Sequence, residues 1–269
     1  MKNKNKKNNI LSVLVNAIDY ETATDEIISF AHKKEPMNVE PIAVHGIVTG
    51  FLDKTHLHRL NSFDMLLPDG QPVRWGLNLL YNTKLKDRVY GPTLMLKICE
   101  RASREGLKIY LYGSREIVLK KLSENLCKRF PSLLIAGLLP CKFERISIAE
   151  HEAVIETIKK SGASITFVGM GCPKQDVWIY ENKNRLSMPL IAVGAAFDFH
   201  AGIVPQSPPT LQNIGLEWFY RLIHEPKRLW KRYLIFNPLY IFLFLLQMMK
   251  IKKFSTDDTT PPLNEVRYG

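Results

Sequence analysis

Three stretches of the chain set groups capable of chemistry at turns. In FVGMGCPKQDVWIYENKNRL, residues 167 to 186, an apolar run ends at Gly169 and Gly171, and Pro173 opens a helical pattern. Glycine permits backbone conformations that other residues avoid, and proline suits the first turn of a helix. Free amides at such a helix start favour an anion, to which Lys174 would add a charge and Gln175 a hydrogen-bonding amide. A diphosphate is the expected ligand. GMGCPK is neither a dinucleotide fingerprint nor a P-loop, and a ligand-free strand-to-helix turn would use the same residues. In FDMLLPDGQPVRWGLNLL, residues 63 to 80, Asp69 and Gly70 follow an apolar run and precede a helical one. Asp69 either caps that helix or serves as a general base at a strand's carboxyl end. In VGAAFDFHAG, residues 193 to 202, small residues around Gly194 allow close approach of a ligand, and Asp198 and His200 are polar groups in an apolar setting. A lone buried histidine is by default a satisfied one. Further on, Arg221, His224, Arg228 and Lys231 recur three and four apart, which places them on one helix face. Such a face is either solvated or turned to phosphate.

Short apolar runs alternate with helical patterns through the middle of the chain. PIAVHG, LKIYLYG, LLIAG, ASITFVGMG and PLIAVGAAFD read as strands. GPTLMLKICERASREG, REIVLKKLSENLCKRF, ISIAEHEAVIETIKKSG and PKQDVWIYENKNRL read as helices, with apolar residues three and four apart. This alternation predicts an α/β fold with a parallel sheet covered by helices, and ligands beyond the carboxyl ends of its strands.

The formal charge of +11 is carried by the two ends, so the middle of the chain is neutral and unlike a nucleic-acid-binding face. MKNKNKKNN followed by ILSVLV has the charge order of a secretory signal. The apolar run is short, however, and acids follow it without a cleavage site, so it reads as a strand leading to a helix. Four scattered cysteines form no zinc pattern and read as reduced cytosolic thiols. His56 and His58, two apart on a helical pattern, point to different sides, and no His–carboxylate cluster is evident, so no metal is expected. Residues 233 to 249, YLIFNPLYIFLFLLQMM, carry no charge but are interrupted by Asn237-Pro238. After the basic stretch they suit an anionic membrane surface, with a second copy of the chain as the alternative partner. The expected divisions are a basic disordered tail at 1–9, an α/β domain at 10–207, a helical membrane-associating appendage at 208–253 and a disordered tail at 254–269.

LLPDGQPVRWGLNLL, DRVYGPTLML, IYLYGS, FVGMGCPKQDVWI, AVGAAFDFHAG and IGLEWFYRLIHEPKRLWKRYL, in this order, resemble the WecG/TagA/CpsF family of bacterial glycosyltransferases over roughly residues 10 to 235. The resemblance implies a Rossmann-like enzyme without a cofactor, peripheral on the inner face of the cell membrane. It would move a hexose or N-acetylhexosamine from a UDP-sugar to a polyprenyl-diphosphate-linked saccharide in cell-surface or exopolysaccharide synthesis. Asp69 matches the family's proposed base, Gln175 its donor-site glutamine, and Arg221 and Arg228 its basic appendage. His45, Gly70, Gly91, Gly113, Gly169, Gly171, Lys174, Gly194, Asp198 and Lys231 complete the expected substrate site. Ala43 and His45 stand where the family has threonine and asparagine, Lys142 where an aromatic is expected, and Lys231 in place of a third arginine, beside Arg232. The apolar tail is also longer than in the teichoic acid members. N-acetylmannosamine is therefore not carried over as the donor sugar. A membrane-tethered nucleotide-binding regulator without catalysis is the alternative function. It would have no use for Asp69 beyond capping.

Overall fold

The computed structural model describes residues 6–269. It begins with a hairpin, β1 (Lys7–Ile10) paired antiparallel with β2 (Val13–Asn16). The basic tail expected through residue 9 thus gives way to a strand at Lys7, and residues 1–5 lie outside the described residues. Leu11 and Ser12 form the two-residue loop with φ of 51° and 74°. Both values are positive, as a tight hairpin requires. Asn9 Oδ1 accepts from Ser12 N at 2.7 Å and holds the loop. The expected single strand is therefore two, and α1 (Tyr20–Lys33) follows them, capped by Asp19.

The central sheet is built from β3 (Met37–Ile42), β4 (Met65–Pro68), β5 (Lys108–Tyr112), β6 (Leu134–Leu139), β7 (Ile165–Val168) and β8 (Pro189–Ala192). Their order is β4-β3-β8-β7-β5-β6, and every pairing is parallel. The sheet is Rossmann-like and covered on both faces. In β4, Leu66 faces one core while Met65 and Leu67 face the other, and in β5 Tyr110 and Tyr112 oppose Ile109 and Leu111. With both faces of the central strands covered, those strands are mostly apolar, which explains the unbroken runs in the sequence; Asn38 and Glu40 of β3 are buried polar exceptions, and edge strand β6 is partly exposed. The helices between the strands are α2 (Val44–Leu52), α3 (Lys54–Asn61), α4 (Gln71–Tyr81), α5 (Gly91–Glu105), α6 (Glu116–Arg129), α7 (Ile148–Lys160) and α8 (Lys174–Asn182), and α9 (Ala196–His200) follows the last strand. PIAVHG is split by the fold: the strand stops at Ile42, and Val44, His45 and Gly46 start α2.

The appendage comprises α10 (Pro209–Asn213), α11 (Glu217–His224), α12 (Pro226–Leu234) and α13 (Phe236–Met248). Pro226 and Pro238 lie in the first turns of α12 and α13, where a missing N–H costs nothing. Residues 226–248 form a helical stretch long and apolar enough to cross a membrane. One side of it rests on the body, however, with Tyr240, Leu243 and Phe244 in the core. Tyr240 Oη donates to Pro72 O at 3.1 Å, and Gln247 bonds both Leu11 N and Asn9 O at 3.0 Å. Residues 254–269 are not the disordered tail expected from composition. Phe254 is buried, Thr260 N donates to Lys54 O at 3.2 Å, and Gly269 N donates to Glu144 O at 3.0 Å.

Candidate active site

A cleft of about 350 Å³ opens over the carboxyl ends of β3, β4, β7 and β8 and is roofed by the appendage. Asp69, His45, Gly91, Gly171, Gln175, Gly194, Arg221 and Arg228 all line it. A smaller cavity meets it at Ala43, His45, Asp69, Arg221 and Arg232 and adds Gly70 and Arg88.

Asp69 ends β4, where its backbone N donates to Ile42 O at 3.1 Å. It does not cap α4, whose N-cap is Gly70 with no side-chain bond. The carboxylate turns instead to the start of α5, and its Oδ1 accepts from Gly91 N at 2.8 Å. Burial is the main influence on its acidity and pushes its pKa up to about 6. Arg88, the Gly91 amide and Arg221 pull the other way, while Glu217 adds to the rise. The side chain is half-buried and faces the cleft, so the group is a carboxyl poised near neutral pH.

The bend after β7 is held from within. Gly171 has φ 81°, in the left-handed region that favours glycine, and its N–H donates to Gln175 Oε1 at 3.0 Å. A Cβ on Gly194, where φ is 47°, would lie 3.3 Å from that same Oε1. Gln175 is thus both buried and structural, and it brings its remaining amide to the cleft beside Gly194. Gly169 instead makes room for packing, since a Cβ there would strike the Phe197 ring at 2.4 Å. Gly113 packs against the backbone of Gly169, 2.9 Å from where its own Cβ would be, and lines neither cavity. Lys174 points away. Its Nζ donates to Phe143 O and lies 5.8 Å from the Tyr268 ring centre, so it adds no charge to the cleft. Asp198 also lies outside, 3.9 Å from Arg115 Nη2. His200 donates through Nε2 to Pro92 O at 2.9 Å and is the satisfied histidine of the default reading.

In the appendage the basic residues divide by helix face. Arg221 lies 5.4 Å from the Phe199 ring centre, and its Nε is buried without a hydrogen-bond partner. Arg232 Nε is likewise buried and unpartnered. Arg228 reaches the cleft but is tied to Glu225 at 2.6 Å. Lys231 is exposed and lines neither cavity, so the third cation at the cleft is Arg232. Arg88, absent from the sequence-based set, bonds Glu217 at 2.6 Å and Gln212 at 3.0 Å and clamps α10 and α11 to the body. Arg88 lies in the DRVYGPTLML stretch that carries the family resemblance, but a lone arginine two residues before a tyrosine gives no periodic signal of its own. His45 stacks on Phe236 with ring centres 5.3 Å apart, and burial with Arg232 lowers its pKa to about 3. It is therefore a neutral wall of the site.

The expectation of no His–carboxylate cluster is corrected by the fold. His56, Cys172 and Asp176 meet beneath the bend. Cys172 and Asp176 are neighbours in the chain, but His56 precedes them by more than a hundred residues, which spacing alone does not connect.

The model of the glycosyl transferase WecG/TagA/CpsF family matches residues 8–254. An N-acetylglucosaminyldiphosphoundecaprenol N-acetyl-beta-D-mannosaminyltransferase of Bacillus subtilis is 29% identical over 183 residues, 68% of this chain and 69% of the relative. The protein of the same name from Bacillus spizizenii is 28% identical over 176 residues, 65% of this chain and 66% of the relative. On the match across nearly its whole length, this chain belongs to the WecG/TagA/CpsF family of glycosyl transferases.

Proposed function

We propose that the enzyme transfers a sugar from a UDP-sugar to a saccharide carried on a polyprenyl diphosphate, with Asp69 as the general base. One observation carries the reading. A carboxyl whose pKa is raised to about 6 shares its cleft with Arg221 and Arg232, whose guanidinium Nε atoms lack protein partners. The relatives' names supply the acceptor class, a sugar on diphosphoundecaprenol.

Gly91 fixes Asp69 Oδ1 and leaves Oδ2 to take the proton of the acceptor hydroxyl as its oxygen attacks the anomeric carbon. The glycosidic bond forms as the bond from sugar to UDP phosphate breaks, and negative charge collects on the departing diphosphate. Guanidinium groups with an unused Nε donor are suited to that charge, since their planar forks match phosphate oxygens. The starts of α2, α4, α5 and α8 add backbone dipoles of the same sign. Ala43 and His45 make one wall of this cleft, and they are the residues expected to select the sugar.

The exposed side of α12 and α13, with Trp230, Leu234, Ile241, Phe242 and Leu245, suits peripheral attachment to an anionic leaflet. Deleting the segment would remove core residues Tyr240 and Phe244. The informative variant is Ile241→Gln with Phe242→Gln, expected to melt like wild type but to sediment less with anionic vesicles. Undiminished sedimentation would exclude this face as the docking surface.

Release of UDP from a panel of UDP-sugars, with and without a lipid-linked acceptor, tests the reaction. Acceptor-dependent release from one sugar is the expected result. Binding of UDP without turnover of any donor would favour the regulatory alternative.

A further inference from the structure

Beneath the bend at Gly171, side chains from three elements converge at the floor of the cleft. His56 comes from α3, Cys172 from the bend itself and Asp176 from the first turn of α8, and one ligand atom from each lies within 4.8 Å of the others. His56 is 2% exposed and Asp176 0%, and His56 Nε2 stands 3.4 Å from Asp176 Oδ2. His56 Nε2 makes no hydrogen bond of standard geometry, and the Asp176 oxygens have only Glu40 and Cys172 within reach, each of which must carry a proton to donate. Orphaned buried polar atoms each cost about 1–3 kcal/mol, and charged ones more. Glu40 is buried against Asp176 and has an unpartnered oxygen of its own. Two carboxyl groups, an imidazole and a thiol thus lie together, His56 and Asp176 buried, Cys172 half-buried and, with Glu40, lining the floor of the cleft, and His45 and Arg232 face them.

The geometry points to a divalent-cation site of zinc type, held by His56 Nε2, Cys172 Sγ and the Asp176 carboxylate, with Glu40 supporting Asp176 from outside the coordination. A nitrogen, sulfur and oxygen set suits a borderline-soft cation. Zinc bonds of about 2.0–2.3 Å place tetrahedral ligands roughly 3.3–3.8 Å apart, so the side chains need to close in by up to about 1.5 Å. Binding displaces the Cys172 proton to solvent, and the thiolate and Asp176 carboxylate then balance the two positive charges. Three protein ligands leave a fourth position beside Glu40. The cation would pin the bend carrying Gly171 and Gln175 to α3, a positioning role separate from the proton transfer assigned to Asp69.

The test uses the full chain, stripped with a chelator and titrated with Co²⁺ and Zn²⁺. One Co²⁺ per chain is expected, with the near-ultraviolet charge-transfer band of a cobalt–thiolate bond. Cys172→Ser should lose the band, and Cys127→Ser, which changes an exposed thiol, should keep it. Zn²⁺ should raise the melting temperature of wild type and less so that of His56→Gln. If Cys172→Ser fails to fold, the zinc melts of wild type and His56→Gln carry the decision. A band that survives Cys172→Ser, or a wild-type melting temperature unmoved by zinc, overturns the site and makes the cluster a proton-sharing network.

Discussion

The helix starts of this molecule are of two kinds. α1, α3 and α7 begin with Asp19, Asp53 and Ser147, whose side chains accept from their own first turns, and α7 carries a full capping box with Glu150. α2, α4, α5, α8 and α9 begin with Ala43, Gly70, Tyr90, Pro173 and Ala195, none of which caps. The capped starts lie away from the cleft and these five uncapped ones border it, while α6, also uncapped at Arg115, lies outside it. Every helix has free N–H groups at its start that need a partner. At α1, α3 and α7 a side chain supplies that partner, whereas at the starts bordering the cleft an anion can take the place, apart from Gly91 N, which Asp69 already holds.

Asp69→Asn has the largest expected effect, because it removes the base while its amide oxygen can still accept from Gly91 N at the start of α5. Turnover should fall on the order of 10²- to 10⁴-fold with UDP affinity retained. In wild type, turnover should rise with pH through about 6 as the carboxyl ionises. A folded pKa above the unfolded one means that Asp69 stabilises below about pH 4, and this contribution is lost as pH rises through about 6. Asn in its place should flatten that decline, so the variant should melt at or above the wild-type temperature at about pH 7.5. A lower melting temperature there would make Asp69 a structural group.

Arg232→Ala should weaken UDP binding roughly 10- to 100-fold, the range for a lost hydrogen bond to a charged group. Lys231→Ala should leave it unchanged, and calorimetric titration of both variants checks the division of the two helix faces. Gln175→Ala should lower both UDP affinity and melting temperature, since its Oε1 holds Gly171. The smallest changes fall on the caps. Ser147→Ala should cost about 1 kcal/mol of stability with unchanged kcat/KM. Ala43→Ser should add a few tenths of a kcal/mol while slightly weakening UDP. Equal effects of Ala43→Ser and Ser147→Ala on UDP binding would dissolve the distinction between the two kinds of start.

Features written locally in the chain are legible in it. The strand–helix alternation follows from 2- and 3.6-residue periods, and the bends at Asp69 and Gly171 follow from turn residues. The hairpin escapes such a reading because its loop is Leu11-Ser12, without the glycine or asparagine that usually marks such a turn. Lys174 departs from expectation because a position beside a bend does not specify a direction. Its partner, Phe143 O, comes from a distant loop. Arg232 rather than Lys231 meets the cleft because the short helices after Pro226 rotate the basic stripe relative to a single continuous helix. The order of residues 254–269 depends on docking to Lys54 and Glu144, which composition does not encode.

The bonds from Gln247 to Leu11 and Asn9 join residues 236 and 238 positions apart. A chain made from its amino terminus therefore exposes the hairpin long before the helix that covers it exists. Contacts of such separation form slowly, because a large loop must close before any interaction repays its ordering. During that interval Ile10, beneath Gly76 and against α13, has no lid on that side. The apolar face of α13 is likewise without its support until the hairpin is in place. Folding and the proposed surface attachment thus draw on opposite faces of the same helix.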